Sequence, residues 1–135
     1  LAFALNELAW IHATGPTEVR SPEKALPLAQ KAVHLSQNSG TYRNTLGVVH
    51  FRLGQFEAAV DELQRAIQDN KGEATADDLF FLAMSYHHLG EAVKTRNCYD
   101  QALRWWQNQG ELTPFQIMEL TNFRDEAASL LSPSR

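Results

Sequence analysis

The sequence predicts an all-α fold, a right-handed superhelical solenoid of about seven helices arranged as antiparallel hairpins. A row of residues recurs 36 positions downstream, where Leu46, Gly47, Gly54, Ala59, Leu63 and Ala66 are matched by Leu82, Ala83, Gly90, Thr95, Tyr99 and Ala102. Ala25, Ala29 and Ala32 precede three of these positions by 34 residues, and patterns typical of strands are nearly absent. A period of this length is typical of stacked helical hairpins.

Apolar periodicity places the helices at residues 2–14, 22–36, 41–53, 56–70, 76–89, 92–108 and 114–131. Two of the starts carry capping residues. Ser21 and Thr113 each precede a proline, and a hydroxyl cap followed by proline is typical of a first helical turn. Gln116 lies where it completes a capping box with Thr113.

The positions of the glycines and the lengths of the repeats predict where the turns lie. Gly54 and Gly90 each follow a leucine at the end of a first helix, where a left-handed residue lets the chain reverse. The first hairpin is four residues longer than a 34-residue repeat, which predicts an extended turn at 15–21. Two further residues are expected between the second and third repeats, near 70–73.

The length of 135 residues, with 44% hydrophobic residues, suits one domain with a continuous core. We therefore predict a single domain, 1–135, with repeats at about 2–38, 40–73 and 76–109 and a capping helix at about 114–131. The chain begins at Leu1, without Met and inside a predicted helix, so we expect it to be a fragment of a longer protein.

The charge balance argues against several ligands. Twelve Lys and Arg against 16 Asp and Glu give a net charge of -4, and no basic run tracks a phosphate backbone, so we expect no nucleic acid. No apolar run approaches the roughly 20 residues that span a bilayer, so we expect no membrane partner and a cytoplasmic location. Cys98 is expected to be a buried or half-buried structural thiol.

We find no pattern that indicates catalysis. A nucleophile with a base, a phosphate-binding glycine loop and paired carboxylates in a cleft are all missing from the sequence, and Asp77-Asp78 is typical of a solvated helix surface. His87 and His88 are adjacent, so in a helix their side chains point about 100° apart and do not share one metal ion. We expect no enzyme activity, no cofactor and no metal.

Small residues are expected where helices cross closely, at Gly47, Ala59, Ala66, Ala83 and Ala102, with larger residues filling the grooves beside them. This arrangement resembles the tetratricopeptide repeat, whose pattern places Leu-Gly, Tyr, Gly, Ala, Phe and Ala at these spacings. Segment 40–73 is the best match. The segments are also similar to tetratricopeptide arrays of large bacterial multidomain proteins, some of them serine/threonine kinases.

The resemblance implies that the first helix of each hairpin lines a concave groove that binds a peptide or protein segment. The implied groove residues are Asn6, Trp10, Thr41, Asn44, Thr45, Val48, Phe51, Arg52, Asp77, Phe80, Phe81, Met84, His87 and His88. We expect Phe80 or Phe81 to be exposed in this groove. The apolar anchors of the peptide are expected to pack against Phe80, Phe81, Met84 and Trp10, and its backbone is expected to be held by Asn6, Asn44 and Arg52.

Some relatives clamp the C-terminal carboxylate of a partner with Lys, Arg and Asn. The matching positions here are Asn6, Trp10, Thr45, Asp77 and Phe81, which supply no cation. Because Asp77 repels a carboxylate, we do not expect this chain to bind such a terminus.

Two alternatives concern the ends of the array. The first helix has almost no polar face, with apolar residues at Leu1, Phe3, Leu5, Leu8, Trp10 and Ile11. We therefore expect α-helical or other partners to cover this helix on more than one side, and a second copy of the chain in a homodimer is one such partner. In this alternative, the array is a spacer or self-association element in a larger enzyme such as a bacterial serine/threonine kinase.

At the other end of the array, the adjacent Trp105 and Trp106 fit either a stacking platform for a base or sugar, or packing against the capping helix. We predict the packing role, with contacts around Phe115 and Met118.

Overall fold

The computed structural model describes residues 1–132, which form seven α-helices and no β-strand. The helices are α1 (Ala2–Thr14), α2 (Pro22–Leu35), α3 (Gly40–Arg52), α4 (Phe56–Asp69), α5 (Ala76–His88), α6 (Ala92–Gln107) and α7 (Pro114–Leu131). Every predicted helix is present with its ends within one residue of the prediction. The all-α fold is therefore confirmed.

The helices group into two compact units, Leu1–Glu73 and Ala74–Arg135. In the first unit the hairpins α1–α2 and α3–α4 are joined by packing of α2 and α1 on α3. In the second unit α6 and α7 both pack on α5. Neighbouring helices thus pack as in a helical-repeat solenoid. The boundary lies between the predicted second and third repeats, and the single domain 1–135 stays a prediction.

The turns are built as the glycines predict. Gly54 and Gly90 have φ of 77° and 78°, the left-handed conformation expected after a helix. In both turns the next N–H donates back into the first helix, from Gln55 to His50 O and from Glu91 to Tyr86 O, each at 2.9 Å. The connection at 15–21 between α1 and α2 is longer, which confirms the extended first turn.

The two predicted caps differ in outcome. Thr113 Oγ1 accepts from Gln116 N–H at 3.1 Å, and Thr113 N–H donates to Gln116 Oε1 at 2.8 Å, so the capping box is confirmed. The prediction that Ser21 caps α2 with its hydroxyl is wrong. Its backbone N–H is tied to α1 instead, donating to His12 O at 2.8 Å, and Pro22 begins the helix without a side-chain cap.

Small residues let the helices of the first unit approach closely. A Cβ added at Gly47 lies 2.7 Å from Leu63 Cγ, well inside van der Waals contact, so α3 and α4 meet at this position. Ala59 and Ala66 flank Leu63 on the buried face of α4. The close approach predicted for Gly47 is thereby confirmed.

Candidate functional site

The first helices of the first unit, α1 and α3, lie against each other. Their C-terminal ends are linked because Arg52 Nε donates to Ala13 O at 2.9 Å. The Arg52 guanidinium carbon also lies 5.6 Å from the centroid of the Phe51 ring. Arg52, predicted to hold a peptide backbone, therefore has a role in joining the two helices.

Most of the predicted groove residues of this unit are buried. Thr41 is exposed, and Trp10 and Arg52 are half-buried. The five buried positions are Asn6, Asn44, Thr45, Val48 and Phe51. These side chains lie beneath the surface that α1 and α3 present, and Thr41 and Trp10 keep accessible area on it.

In the second unit the predicted apolar anchors are inaccessible. Phe80 and Phe81 have no exposed surface, so the expectation that one of them is exposed is wrong. The Phe80 ring meets Tyr99 of α6 edge to face at a centroid distance of 5.8 Å, and the Phe81 ring meets Phe123 of α7 at 4.9 Å. Each phenylalanine thus fills an interface between helices, and Met84 is likewise buried.

The remaining predicted positions of this unit lie near the two ends of α5. Asp77 is half-buried in the first turn, and His87 and His88 are exposed in the last turn. Partial burial and the neighbouring His87 lower the pKa of His88 below its ordinary value. Within residues 1–132, no group of three or more His, Cys, Asp or Glu side chains is arranged to hold a metal ion.

A cavity of about 350 Å³ lies in the second unit, where the first turn of α5, the end of α6 and the start of α7 meet. Trp105, Leu112, Leu120 and Phe123 supply apolar wall, and two carboxylates, from Asp77 and Glu119, face it as well. The full lining is Thr75, Asp77, Trp105, Gln109, Leu112, Gln116, Glu119, Leu120 and Phe123. Among residues 1–132, no Lys, Arg or His lines this cavity.

The two tryptophans have separate surroundings. Trp105 lines the cavity, and the Trp106 ring lies 5.3 Å from the guanidinium carbon of Arg124 on α7. The predicted contacts around Phe115 and Met118 are wrong, since these side chains are 60% and 51% exposed. The reason is that α7 directs its Leu120 and Phe123 face inward and packs mainly on α5.

Sequence reasoning identified Asp77 and Trp105 separately but missed the cavity that they share. Its other walls come from the 108–113 connection and the start of α7, which lie outside the repeat pattern. The apolar spacing of α7 predicts a helix but not its position on α5. No sequence signal therefore pointed to Glu119, and Gln116 was predicted only as a capping residue.

The class of helical-repeat proteins is defined by antiparallel helical hairpins that recur with a period near 34 residues. Small residues lie where the helices of these hairpins cross. Residues 40–71, which contain α3 and α4, match the tetratricopeptide repeat family, so the chain carries a tetratricopeptide repeat. Repeats of this family generally form protein–protein interaction modules without catalytic activity.

No curated protein is significantly similar to the chain. None of the helices described in residues 1–132 has the length and apolarity needed to cross a membrane.

Proposed function

We propose that the chain is a non-catalytic interaction module that binds a peptide or protein segment on the first-helix surfaces of its hairpins. The observation that carries this proposal is the tetratricopeptide repeat at 40–71, because repeats of this family generally mediate protein interactions. The packing of α1 on α3 supports it, since it gives the first unit a continuous surface built from two first helices.

Within this surface we assign the contacts to its accessible positions. Trp10 is half-buried and supplies an amphipathic ring, the kind of side chain that dominates binding energy at interfaces. Thr41 is exposed at the start of α3. The buried residues beneath them, such as Val48 and Phe51, set the shape of the surface and do not contact the partner.

The test is a selection of peptides from a random display library on the whole chain, followed by affinity measurements on the enriched peptides. Thr41→Arg places a long cation on the proposed surface, and we expect it to weaken binding roughly tenfold or more. Gln30→Arg is the matched control, because Gln30 is also exposed but lies on the second helix α2. We expect this control to leave the affinity unchanged.

Circular dichroism of both variants establishes that they fold before their affinities are compared. A library that yields no enriched peptide overturns the proposal for peptides. Equal weakening by Thr41→Arg and Gln30→Arg overturns the assignment of the surface to the first helices.

A second candidate function is self-association within a larger protein, and one observation favours it. Phe3, Leu8 and Ile11 on α1 are 67%, 50% and 55% exposed. An apolar surface of this kind on a regular helix is typical of an interaction site. We treat this surface as separate from the peptide-binding surface. Its test is therefore the oligomeric state of variants in which its residues are replaced.

A further inference from the structure

We propose that two copies of the chain associate head to tail, with the apolar side of α1 in one copy packed on the apolar start of α7 in the other. The α1 side consists of Ala4, Leu8 and Ile11, and the α7 start consists of Ile117 and Met118. This inference rests on the second candidate function, self-association, and states which two surfaces meet. It does not depend on the proposed peptide-binding residues, which belong to neither surface.

Four helices occupy equivalent places in the repeat. Within the described residues 1–132, the helices α1, α3, α5 and α7 begin at intervals of 38, 36 and 38 residues. The seventh residue of each helix is a leucine, namely Leu8, Leu46, Leu82 and Leu120. Residues with the same rank in these helices are therefore equivalent, and their exposure can be compared directly.

At the seventh and tenth positions, α1 differs from the other three helices. Leu8 and Ile11 are 50% and 55% exposed. The equivalent residues are all buried, namely Leu46, Leu82 and Leu120 at the seventh position and Val49, Ser85 and Phe123 at the tenth. In α7 the Phe123 ring meets Phe81 of α5, the equivalent helix that precedes it, at 4.9 Å. The exposed side of α1 therefore corresponds to the side of α7 that packs on an earlier helix.

The fourth and fifth positions show the reverse pattern, because here α7 is the exposed helix. Met118 at the fifth position is 51% exposed. Its equivalents in α1, α3 and α5 are buried, namely Asn6, Asn44 and Phe80. Phe80 packs edge to face on Tyr99 of α6, a later helix. At the fourth position Ile117 is 45% exposed, whereas Leu79 of α5 is buried. The start of α7 therefore corresponds to the side of α5 that a later helix covers.

A second copy of the chain matches both exposed sides at once. Its α7 start covers the α1 side that receives an earlier helix, and its own α1 side is covered in the same way by a further copy. The end repeats of a soluble helical array normally carry a polar outer face. Here Ala4, Leu8 and Ile11 follow one another along one side of α1 without a charged residue, and all three are exposed. Such an apolar stripe is typical of an interaction site.

A head-to-tail contact also hides more apolar surface than a symmetric one. A symmetric contact of α1 with α1 leaves Ile117 and Met118 exposed in both copies. A contact between two different surfaces covers both kinds of surface, and burial of apolar area is the main favourable term in association. The structure therefore favours the contact of α1 with α7.

The test uses two complementary variants of the whole chain. Leu8→Glu with Ile11→Glu alters the α1 side and keeps the α7 start, and Ile117→Glu with Met118→Glu does the converse. Sedimentation equilibrium measures association at about 0.1–1 mM, the range expected for a small interface. We expect each variant alone to be monomeric there, because each retains only one of the two surfaces.

An equimolar mixture of the two variants should form a one-to-one dimer about as tightly as the parent chain associates with itself. In this mixture the intact α7 start of the first variant meets the intact α1 side of the second. A chain with all four substitutions is the negative control and should bind neither variant. Val19→Glu with Val93→Glu is the matched control for added charge, because both valines are exposed outside α1 and α7, and it should associate like the parent chain.

Circular dichroism establishes that each variant folds, and a dimer in the mixture shows in addition that each retained surface is intact. A parent chain that stays monomeric at millimolar concentration overturns the proposal. A mixture of folded variants that stays monomeric while the parent chain associates also overturns it.

The outcomes separate this inference from the functions on which it builds. If the α7 variant associates like the parent chain and only the α1 variant is monomeric, self-association through α1 stands and the head-to-tail contact is refuted. A dimer in the mixture without any enriched peptide supports the head-to-tail contact and refutes the peptide-binding module. Enriched peptides with a monomeric parent chain give the opposite result.

Discussion

At the scale of single residues, Asn6 shows that the side chain at a repeat position can lower the stability of the fold. Alignment places it on the groove side of α1, but its side chain is only 3% exposed and its Oδ1 has no hydrogen-bond partner. A buried polar atom left without a partner costs roughly 1–3 kcal/mol. Asn6 therefore weakens the packing of α1.

Replacing Asn6 with leucine removes this cost with little change in volume. We expect Asn6→Leu to raise the free energy of unfolding by about 1 kcal/mol, because the amide no longer loses its hydration on folding. Urea unfolding followed by circular dichroism measures the change, with the exposed Asn97→Leu as a control that should have little effect. A clear loss of stability in Asn6→Leu would mean that the amide is satisfied in the folded chain.

Cys98 is half-buried on α6, and this burial raises the pKa of its thiol above the ordinary value. Because the thiolate is the reacting form, the folded chain should react more slowly with a disulfide reagent at pH 8 than the chain in 6 M guanidinium chloride does. The pH at which the reaction reaches half its maximal rate should also be higher in the folded chain. Equal reaction rates in the two states would mean that burial does not protect the Cys98 thiol in the folded chain.

At the scale of helices, the hairpin α3–α4 is held by small residues and by one ion-pair network. Arg43 Nη1 lies 3.1 Å from Glu62 Oε2, and its Nε lies 2.9 Å from Asp69 Oδ2. Its Nη2 donates to Gln37 O at 3.3 Å. The guanidinium thus joins the middle and the C-terminal end of α4, and the loop before α3, to α3. No repeat position encodes this role, since Leu79 lies 36 residues after Arg43.

The close contact of α3 and α4 gives a prediction for Gly47. A methyl group there meets the Leu63 side chain at 2.7 Å and its backbone N at 3.3 Å, so the helices must separate. We expect Gly47→Ala to destabilise the chain by about 1–3 kcal/mol, even though alanine has the higher helix propensity. Thermal unfolding measures the effect.

Gly110→Ala is the matched control for Gly47→Ala, because nothing lies within 4 Å of the added Cβ and the backbone there is not left-handed. Its stability should equal that of the parent chain or exceed it slightly. If Gly47→Ala were as stable as this control, the two helices would not be in close contact at that point.

The helix boundaries were predictable because they depend on local signals. Gly54 and Gly90 adopt positive φ where the pattern places a turn, and Thr113 with Gln116 forms its box within one helical turn. The surroundings of Phe81 and Trp105 were not predictable in this way. Both depend on where α7 packs, which tertiary contacts decide, and the aromatic spacing of α5 fits a groove and a core equally well.

At the scale of the whole molecule, the repeat pattern predicted the architecture better than it predicted the binding surface. The same periodicity marks buried residues that support a first helix and accessible residues on its surface. Val48 and Thr41 were both predicted to line the groove, although one is buried and the other exposed. The acidic cavity contains residues from three helices and a connecting segment, and only the folded chain brings them together.

The first helix has the clearest consequence for the state of the whole chain. Asn6, Ala9 and Ala13 form its buried face, and the exposed Leu8 and Ile11 lie on the opposite side of the helix axis. The sequence predicted that α1 needs a neighbour on more than one side, and the exposure of these side chains agrees with it. A second copy of the chain is the neighbour that purified protein provides.

Because the few exposed side chains cover less than the roughly 800 Å² per partner of a standard interface, we expect only weak, reversible self-association, at about 0.1–1 mM. Leu8→Glu with Ile11→Glu should abolish it without unfolding the chain, since both side chains are about half exposed in the monomer. Val19→Glu with Val93→Glu is the control, because both valines are exposed outside α1. Sedimentation that finds a monomer up to millimolar concentration, or equal loss in both double variants, would rule out α1 as the contact.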